Sequence, residues 1–267
     1  MAVKVLVLGA HPDDAEVFAG GLLSLHAERG AILRIISVTD GRNGHQSMSD
    51  GELIQRRRRE AAEAGKTIGA DYRTWDFPDG SLQPTIEVRE KIIREIREFQ
   101  PDLVLSHRIF DYHPDHRAVG QAVQDASYMV TVPKVVPQVP ALARDPIVAM
   151  MADTFTRPCT LRPDAVVDVS GRLDAIATML SRHESQVFEW LPYNQGILDK
   201  VPADPQGRLE WLKSWLMGFA AGRLPLFWKA EWGAVPKMIE AYEISEYAGR
   251  LSPADFDRLF PTARRGI

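Results

Sequence analysis

Two short segments of this sequence gather histidine and aspartate around a proline: His11-Pro12-Asp13-Asp14 and His113-Pro114-Asp115-His116. Imidazole nitrogen and carboxylate oxygen bind Zn2+ at roughly 2.0–2.2 Å, and a catalytic zinc takes three protein ligands and keeps one position open. His11 and Asp14 are three residues apart, as are His113 and His116. In a turn that leads into a helix, that spacing points two side chains the same way. Together the segments offer more groups than three ligands require, which leaves some for acid–base work. A His-Pro-Asp turn also suits an ordinary helix start, with aspartate as cap and proline in the first turn. Two such turns at one place in the fold favour the metal.

The elements that must bring the segments together are legible as apolar runs and breakers. Val3–Leu8 is an unbroken β-rich run ending at Gly9-Ala10, directly before the first segment. Such runs suit strands buried on both faces of a parallel sheet. Glu16–Arg29 reads as a helix, Ile32–Val38 as a second strand, and the stretch through Gly51 as a polar loop. Then come a helix over Glu52–Ile68, a third strand at Tyr72–Trp75, a turn at Pro78-Asp79-Gly80 and a helix over Thr85–Phe99. Leu103–Ser106 is a fourth strand and Pro114–Tyr128 the next helix. This alternation predicts an α/β fold, a Rossmann-like doubly wound and mostly parallel sheet with right-handed crossovers. With strand order 3-2-1-4-5, strands one and four are neighbours, and ligands bind where the order reverses. Both segments fall at that edge.

Beyond residue 130 the pattern weakens. Residues 131–146 are proline-rich loop; Ile147–Met151 and Ala165–Val169 read as strands; Gly171–Arg182, Arg208–Gly222 and Val235–Tyr242 read as helices. The expectation is one domain over residues 1–267. Its metal-binding α/β core spans 1–130, and a helical C-terminal extension over 131–267 shapes the substrate side and offers oligomer contacts.

Composition narrows the function classes. With 267 residues, 45% apolar and 25% charged, the chain is an ordinary globular protein. A net charge of −4 argues against nucleic-acid and anionic-membrane partners, which favour basic surfaces. The apolar run near the start is too short for a membrane span or a signal segment, so a cytoplasmic location is expected. The single cysteine, Cys159, excludes an intramolecular disulfide and a thiolate zinc site, and is expected to be a half-buried free thiol. No dinucleotide-binding glycine fingerprint, Walker motif or G-x-S-x-G elbow is present.

At its two His/Asp segments the sequence resembles the PIG-L/LmbE family of zinc-dependent de-N-acetylases, whose hallmarks are His-Pro-Asp-Asp after the first strand and His-Pro-Asp-His after the fourth. The resemblance extends through most of residues 3–128. Weaker echoes occur at Thr39-Asp40-Gly41, Arg57-x-x-Glu60, Pro78-Asp79-Gly80 and His183-x-Ser185-Gln186. The first motif continues Asp-Asp-Ala-Glu, where some members have Asp-Asp-Glu. The resemblance implies His11, Asp14 and His116 as metal ligands and Asp13 as general base on the attacking water. It implies His113 as oxyanion stabiliser or proton donor to the leaving amine, with Asp115 orienting His113 and keeping it charged. By weaker matches, Arg57 and Asp79 would hold sugar hydroxyls or an attached acid. The implied reaction removes an N-acyl group, acetyl above all, from an amino-sugar conjugate of the N-acetylglucosamine type. The implied cofactor is Zn2+, with Fe2+ or another divalent ion as a substitute. The implied assembly is a homo-oligomer, a trimer or hexamer. Two other readings stay open: a metal-dependent amidase acting on a non-sugar N-acyl compound, and a binding protein that keeps the metal without turnover. Asp13 speaks against the latter, since holding the metal does not require it.

Other signals have plainer readings. Arg56–Arg59 fan around a helix, and Arg56–Glu60 and Arg59–Glu63 form i,i+4 pairs, so the run is a solvated face. His26, His45, His107 and His183 stand alone and read as ordinary surface or hydrogen-bonded histidines. Trp211, Trp215, Trp228 and Trp232 read as core or subunit-interface residues.

Overall fold

Val5, Leu6, Val7 and Leu8 have no solvent-accessible surface, as an unbroken apolar run requires when both faces of a strand are covered. They form β1 (Lys4–Gly9) of a computed structural model that describes residues 2–266. In chain order follow α1 (Asp14–Glu28), β2 (Ile32–Thr39), α2 (Asp50–Lys66), β3 (Asp71–Phe77), α3 (Ile86–Phe99), β4 (Leu103–Ser106), α4 (Pro114–Ala126) and β5 (Ile147–Met151). The C-terminal part adds β6 (Ala165–Asp168), α5 (Leu173–Leu180), a π-helical turn (Ser185–Trp190), α6 (Leu191–Asn194), α7 (Pro205–Ala221), α8 (Leu224–Phe227), β7 (Ile239–Ile244), α9 (Pro253–Leu259) and β8 (Arg264–Arg265).

The strand order is β3-β2-β1-β4-β5-β7-β6-β8. β1 pairs in parallel with β2 on one side and β4 on the other, so the expected order 3-2-1-4-5 is found. Alternation along the strands divides the core in two. Val5, Val7, Ile35 and Leu105 face α1 and the C-terminal helices, packing with Leu22, Leu23, Ile176 and Leu212. Leu6, Leu8, Ile36 and Val104 face α3 and α4, packing with Ile92, Ile96, Val119 and Val123.

The C-terminal region is less helical than expected. Val235–Tyr242 was expected as a helix, but Ile239–Ile244 forms β7, antiparallel to both β5 and β6. The acidic residue that breaks the apolar run there, Glu240, is fully buried. Its carboxylate accepts from the N–H groups of Gly21 (2.7 Å) and Leu22 (2.8 Å) in α1 and from the Tyr242 hydroxyl (2.8 Å). A tertiary partner thus turns a polar interruption into an interior strand position. Gly21 allows this approach: a Cβ there would collide with the Val169 side chain. Cys159 is free and exposed, not half-buried as expected. Trp211 and Trp215 pack against the first core face, and Trp228 and Trp232 against a third small cluster around Phe227. Among the described residues, no helix is long and apolar enough to cross a membrane.

Candidate metal centre

The parallel strands β1 and β4 end side by side, and each hands its chain to a helix through a His-Pro-Asp turn. After β1 the backbone turns at Asp13, whose φ of 123° lies where non-glycine residues rarely go. The turn is held: the Asp13 N–H donates to the Tyr72 hydroxyl (3.1 Å) and the His11 N–H to Asp14 Oδ2 (2.7 Å). Asp14 folds back over Gly9, where a Cβ would stand 3.0 Å from its own Cβ. After β4, His113 caps α4: its Nδ1 accepts from the Asp115 N–H (3.2 Å), and Pro114 occupies the first turn.

These turns converge. His11 Nδ1 lies 3.7 Å from Asp14 Oδ2, and His116 Nε2 lies 3.4 Å from Asp14 Oδ1. The His11 and His116 rings are 5.2 Å apart, and His113 stands edge-on to His11 at 4.4 Å. Three groups place their donor atoms within 4.8 Å of one another: His11/His113/His116, Asp14/His107/His116 and His11/Asp79/Asp115. The expected ligand set His11/Asp14/His116 spans the first two. Each of its imidazoles has a carboxylate behind it. Asp115 Oδ2 and Asp79 Oδ1 each lie 3.2 Å from His11 Nε2, and Asp111 Oδ1 lies 3.1 Å from His116 Nδ1. That leaves His11 Nδ1 and His116 Nε2 toward Asp14, the carboxylate–imidazole–metal arrangement that fixes tautomer and ring orientation.

Electrostatics at the cluster favour positive charge. Burial pushes the His11 imidazolium down, but contacts with Asp115, Asp79 and Asp14 outweigh it and raise the pKa to about 10. For His116, Asp14 and Asp111 overcome burial and raise it to about 9. Asp14, although buried, is held well below the usual carboxylate range by His116 and His107. Cations are therefore welcome at this cluster, and its nitrogen and carboxylate donors suit a borderline divalent ion. Asp13 differs: burial is the leading effect and lifts it to about 6, against the opposing pull of Arg57.

Several expected roles change. Asp115, fully buried, gives its carboxylate to His11 and to the N–H groups of Gly80 (2.6 Å) and Leu82 (3.1 Å). It therefore orients His11, not His113, because its own N–H already fills His113 Nδ1 and its side chain points the other way. Nor is His113 kept charged. Burial, then the neighbouring His11 and His116, lower its pKa. Arg57 does reach the site, but only 2% of it is exposed. It donates to the carbonyls of Pro12 (2.6 Å) and Gly41 (3.2 Å) and lies 3.5 Å from Asp13 Oδ2. This guanidinium braces the Asp13 turn and has no surface to offer a sugar. Asp79 is similarly committed, to His11 and to the Asn43 N–H (3.3 Å).

Sequence reasoning passed over three contributors. His107, the first residue after β4, places Nε2 3.0 Å from Asp14 Oδ2 and stacks on His116 at 3.9 Å. Its position at the carboxyl end of a switch-point strand was the available signal. His183, whose segment His183-x-Ser185-Gln186 is only a weak echo of the family pattern, is fully buried against Glu16 Oε1 at 3.0 Å, and Tyr72, with no local pattern to mark it, holds the Asp13 N–H. His26 and His45 are ordinary, bonded to Leu259 O (2.9 Å) and Glu189 (3.0 Å) respectively. Arg56 pairs with Glu60 (2.9 Å) and also with Glu189 (2.6 Å).

Comparison with known proteins fits this geometry. Residues 6–127 match the family model described as PIG-L: GlcNAc-PI de-N-acetylase. A probable N-acetyl-alpha-D-glucosaminyl L-malate deacetylase 2 of Bacillus cereus is 29% identical over 242 residues, covering 87% of this chain and 100% of that one. A 4-oxalmesaconate hydratase of Pseudomonas putida is 25% identical over 205 residues, 74% of this chain and 79% of the relative. Among solved structures, the N,N'-diacetylchitobiose deacetylase of Pyrococcus horikoshii shares the fold with a TM-score of 0.71 at 22% identity, covering 91% of this chain and 83% of that one.

Proposed function

We infer, from a chain whose residues 6–127 match the PIG-L family model, that it is a metal-dependent hydrolase removing an N-acyl group, acetyl above all, from an amino-sugar conjugate of the N-acetylglucosamine type. The observation that carries this reading is Asp13: a carboxylate beside the donor cluster but outside its ligand set, lifted to about 6 by burial. A base with that pKa is poised to take a proton near neutral pH. The sugar follows from the deacetylase relatives, since Arg57 and Asp79 are spent within the protein.

His11, Asp14 and His116 would hold the ion. A divalent metal there supplies Lewis acidity and lowers the pKa of water. Asp13 accepts the proton as water adds to the acyl carbonyl. His113 is the complementary donor. With Nδ1 filled by the Asp115 N–H, its neutral ring carries the proton on Nε2, where it can donate a hydrogen bond to the developing oxyanion, and the proton that Asp13 took from water is the one passed to the departing amine. The acyl group leaves as a carboxylate and the sugar as a free amine. Asp115 and Asp111 keep the ligand imidazoles in their tautomers, and Arg57 and Tyr72 keep Asp13 in place.

Zinc is the ion this donor set favours, with Fe2+ as the substitute. A homo-oligomer assembled through residues 131–267 and a cytoplasmic location complete the reading. The hydratase relative supports a second one, addition of water to an unsaturated polycarboxylic acid with Asp13 again moving the proton. The test is amine release from a panel of N-acetylglucosamine conjugates by wild type and Asp13→Asn at equal metal content. Turnover by wild type and its loss in the metallated variant are expected. A fully metallated wild type that releases no amine but hydrates 4-oxalmesaconate would make the second reading the right one.

A further inference from the structure

Burial hides most large apolar side chains of this protein, yet Phe110, Tyr112 and Phe155 are 38%, 65% and 42% exposed. All three lie on the loops that follow β4 and β5, at the carboxyl edge of the sheet where the metal centre sits. Tyr112 and Phe155 face each other with ring centroids 5.7 Å apart and planes inclined by 41°. The Tyr112 ring is 5.6 Å from both His113 and His116, so this aromatic surface begins at the donor cluster and runs outward.

The exposure is enforced by the loop beneath. Arg108, itself buried, donates to the Cys159 carbonyl (2.6 Å) and lies 3.4 Å from Asp153 Oδ1. The same Asp153 oxygen accepts from the Phe155 N–H (2.8 Å). An ion pair and a turn bond thus fix the loop that carries Phe155, while its ring stays in water. Aromatic faces kept in water beside a reaction centre, on a braced backbone, are what a ring-stacking subsite needs: contact area available without an ordering cost.

We propose that Tyr112 and Phe155 form a subsite for a second ring attached to the reacting amino sugar, and that the substrate class is an N-acyl amino sugar linked to a ring with an apolar face. The proposal rests on the hydrolase reading only for the identity of the reacting sugar.

The test compares the phenyl and methyl β-glycosides of N-acetylglucosamine, which share that sugar and differ in the second ring. Metal-loaded wild type, Phe155→Ala and Tyr112→Ala are measured by calorimetry for binding and by amine release for turnover. Both changes are at exposed positions, so folding is retained. Wild type is expected to bind the phenyl glycoside about two- to tenfold more tightly, the range of one aromatic stacking contact. The preference should appear in KM and not in kcat, and each alanine variant should bring the ratio to about one. Equal affinities in wild type, an unchanged ratio in both variants, or binding of neither glycoside overturns the subsite. A preserved phenyl preference in calorimetry with no amine released from either compound would instead overturn the hydrolase reading and leave the subsite standing.

Discussion

The Asp115 carboxylate lies 3.2 Å from His11 Nε2, joining the two His/Asp segments across 104 residues of sequence. It is fully buried and also accepts two backbone N–H groups. Its own position is therefore fixed before any ion arrives. Replacing it with asparagine puts an amide where His11 Nε2–H needs an acceptor and frees the ring. We expect Asp115→Asn to weaken metal binding by about 10- to 100-fold. Competition with a chromogenic chelator measures this directly, and an unchanged dissociation constant would show that Asp79 alone suffices.

The reaction should show an acidic limb set by Asp13. Burial raises its pKa to about 6 in the metal-free protein and a bound cation draws it back down, so the basic form, and with it kcat/KM, is lost as pH falls below about 6. Arg57 pulls against that elevation. Arg57→Met removes the opposing charge and should move the limb to higher pH, in addition to lowering stability. A pH–rate profile of the two proteins at full metal occupancy decides it; a limb that stays in place would mean that another group limits the reaction.

His107 acts on Asp14 in two ways, by a polar contact at 3.0 Å and through its stack on His116. Phe18 stands edge-on to both of these rings, at 5.5 and 6.0 Å. His107→Phe keeps an aromatic ring in the stack and removes the contact to Asp14, together with the acceptor for the Ala10 N–H (3.2 Å). We expect it to lose about tenfold in metal affinity with little change in Tm, whereas His107→Ala loses both. Parallel affinity and thermal-melt measurements separate the two effects. Full metal affinity in His107→Phe would reduce His107 to a packing residue.

Away from the centre, Gly21→Ala should destabilise the fold by about 1–3 kcal/mol, because its Cβ collides with Val169 and displaces the Glu240 carboxylate from the α1 N–H groups. Helix propensity alone would make the same change stabilising by about 1 kcal/mol. The sign of the shift in denaturant midpoint therefore distinguishes tertiary packing from local preference.

How much of this could be read in the sequence depends on the range of the interaction. The order of the first five strands follows from apolar runs and breakers, which are local, and the two His-Pro-Asp turns follow from strand order. Ile239–Ile244 was misread because what makes Glu240 a strand residue is a pair of N–H groups more than two hundred residues away. Asp115 and Asp79 were placed at the site but given the wrong partners, since spacing shows which groups converge and not which atoms meet. His107 lacked a motif of its own. Arg57 stands out of a run of four arginines by the family echo, yet its burial comes from Gly41 and Pro12 closing over it, which the run itself does not show.

Asp13 holds a backbone angle that glycine adopts freely and that a residue with a side chain adopts at a cost of about 1–3 kcal/mol. Asp13→Gly would relieve that strain, and would also remove a buried carboxylate from beside Asp14. The protein should become harder to melt as it becomes inert. At this residue the requirements of folding and of the proposed proton transfer are opposed, and a screen for thermal stability alone would select the variant without the proposed base.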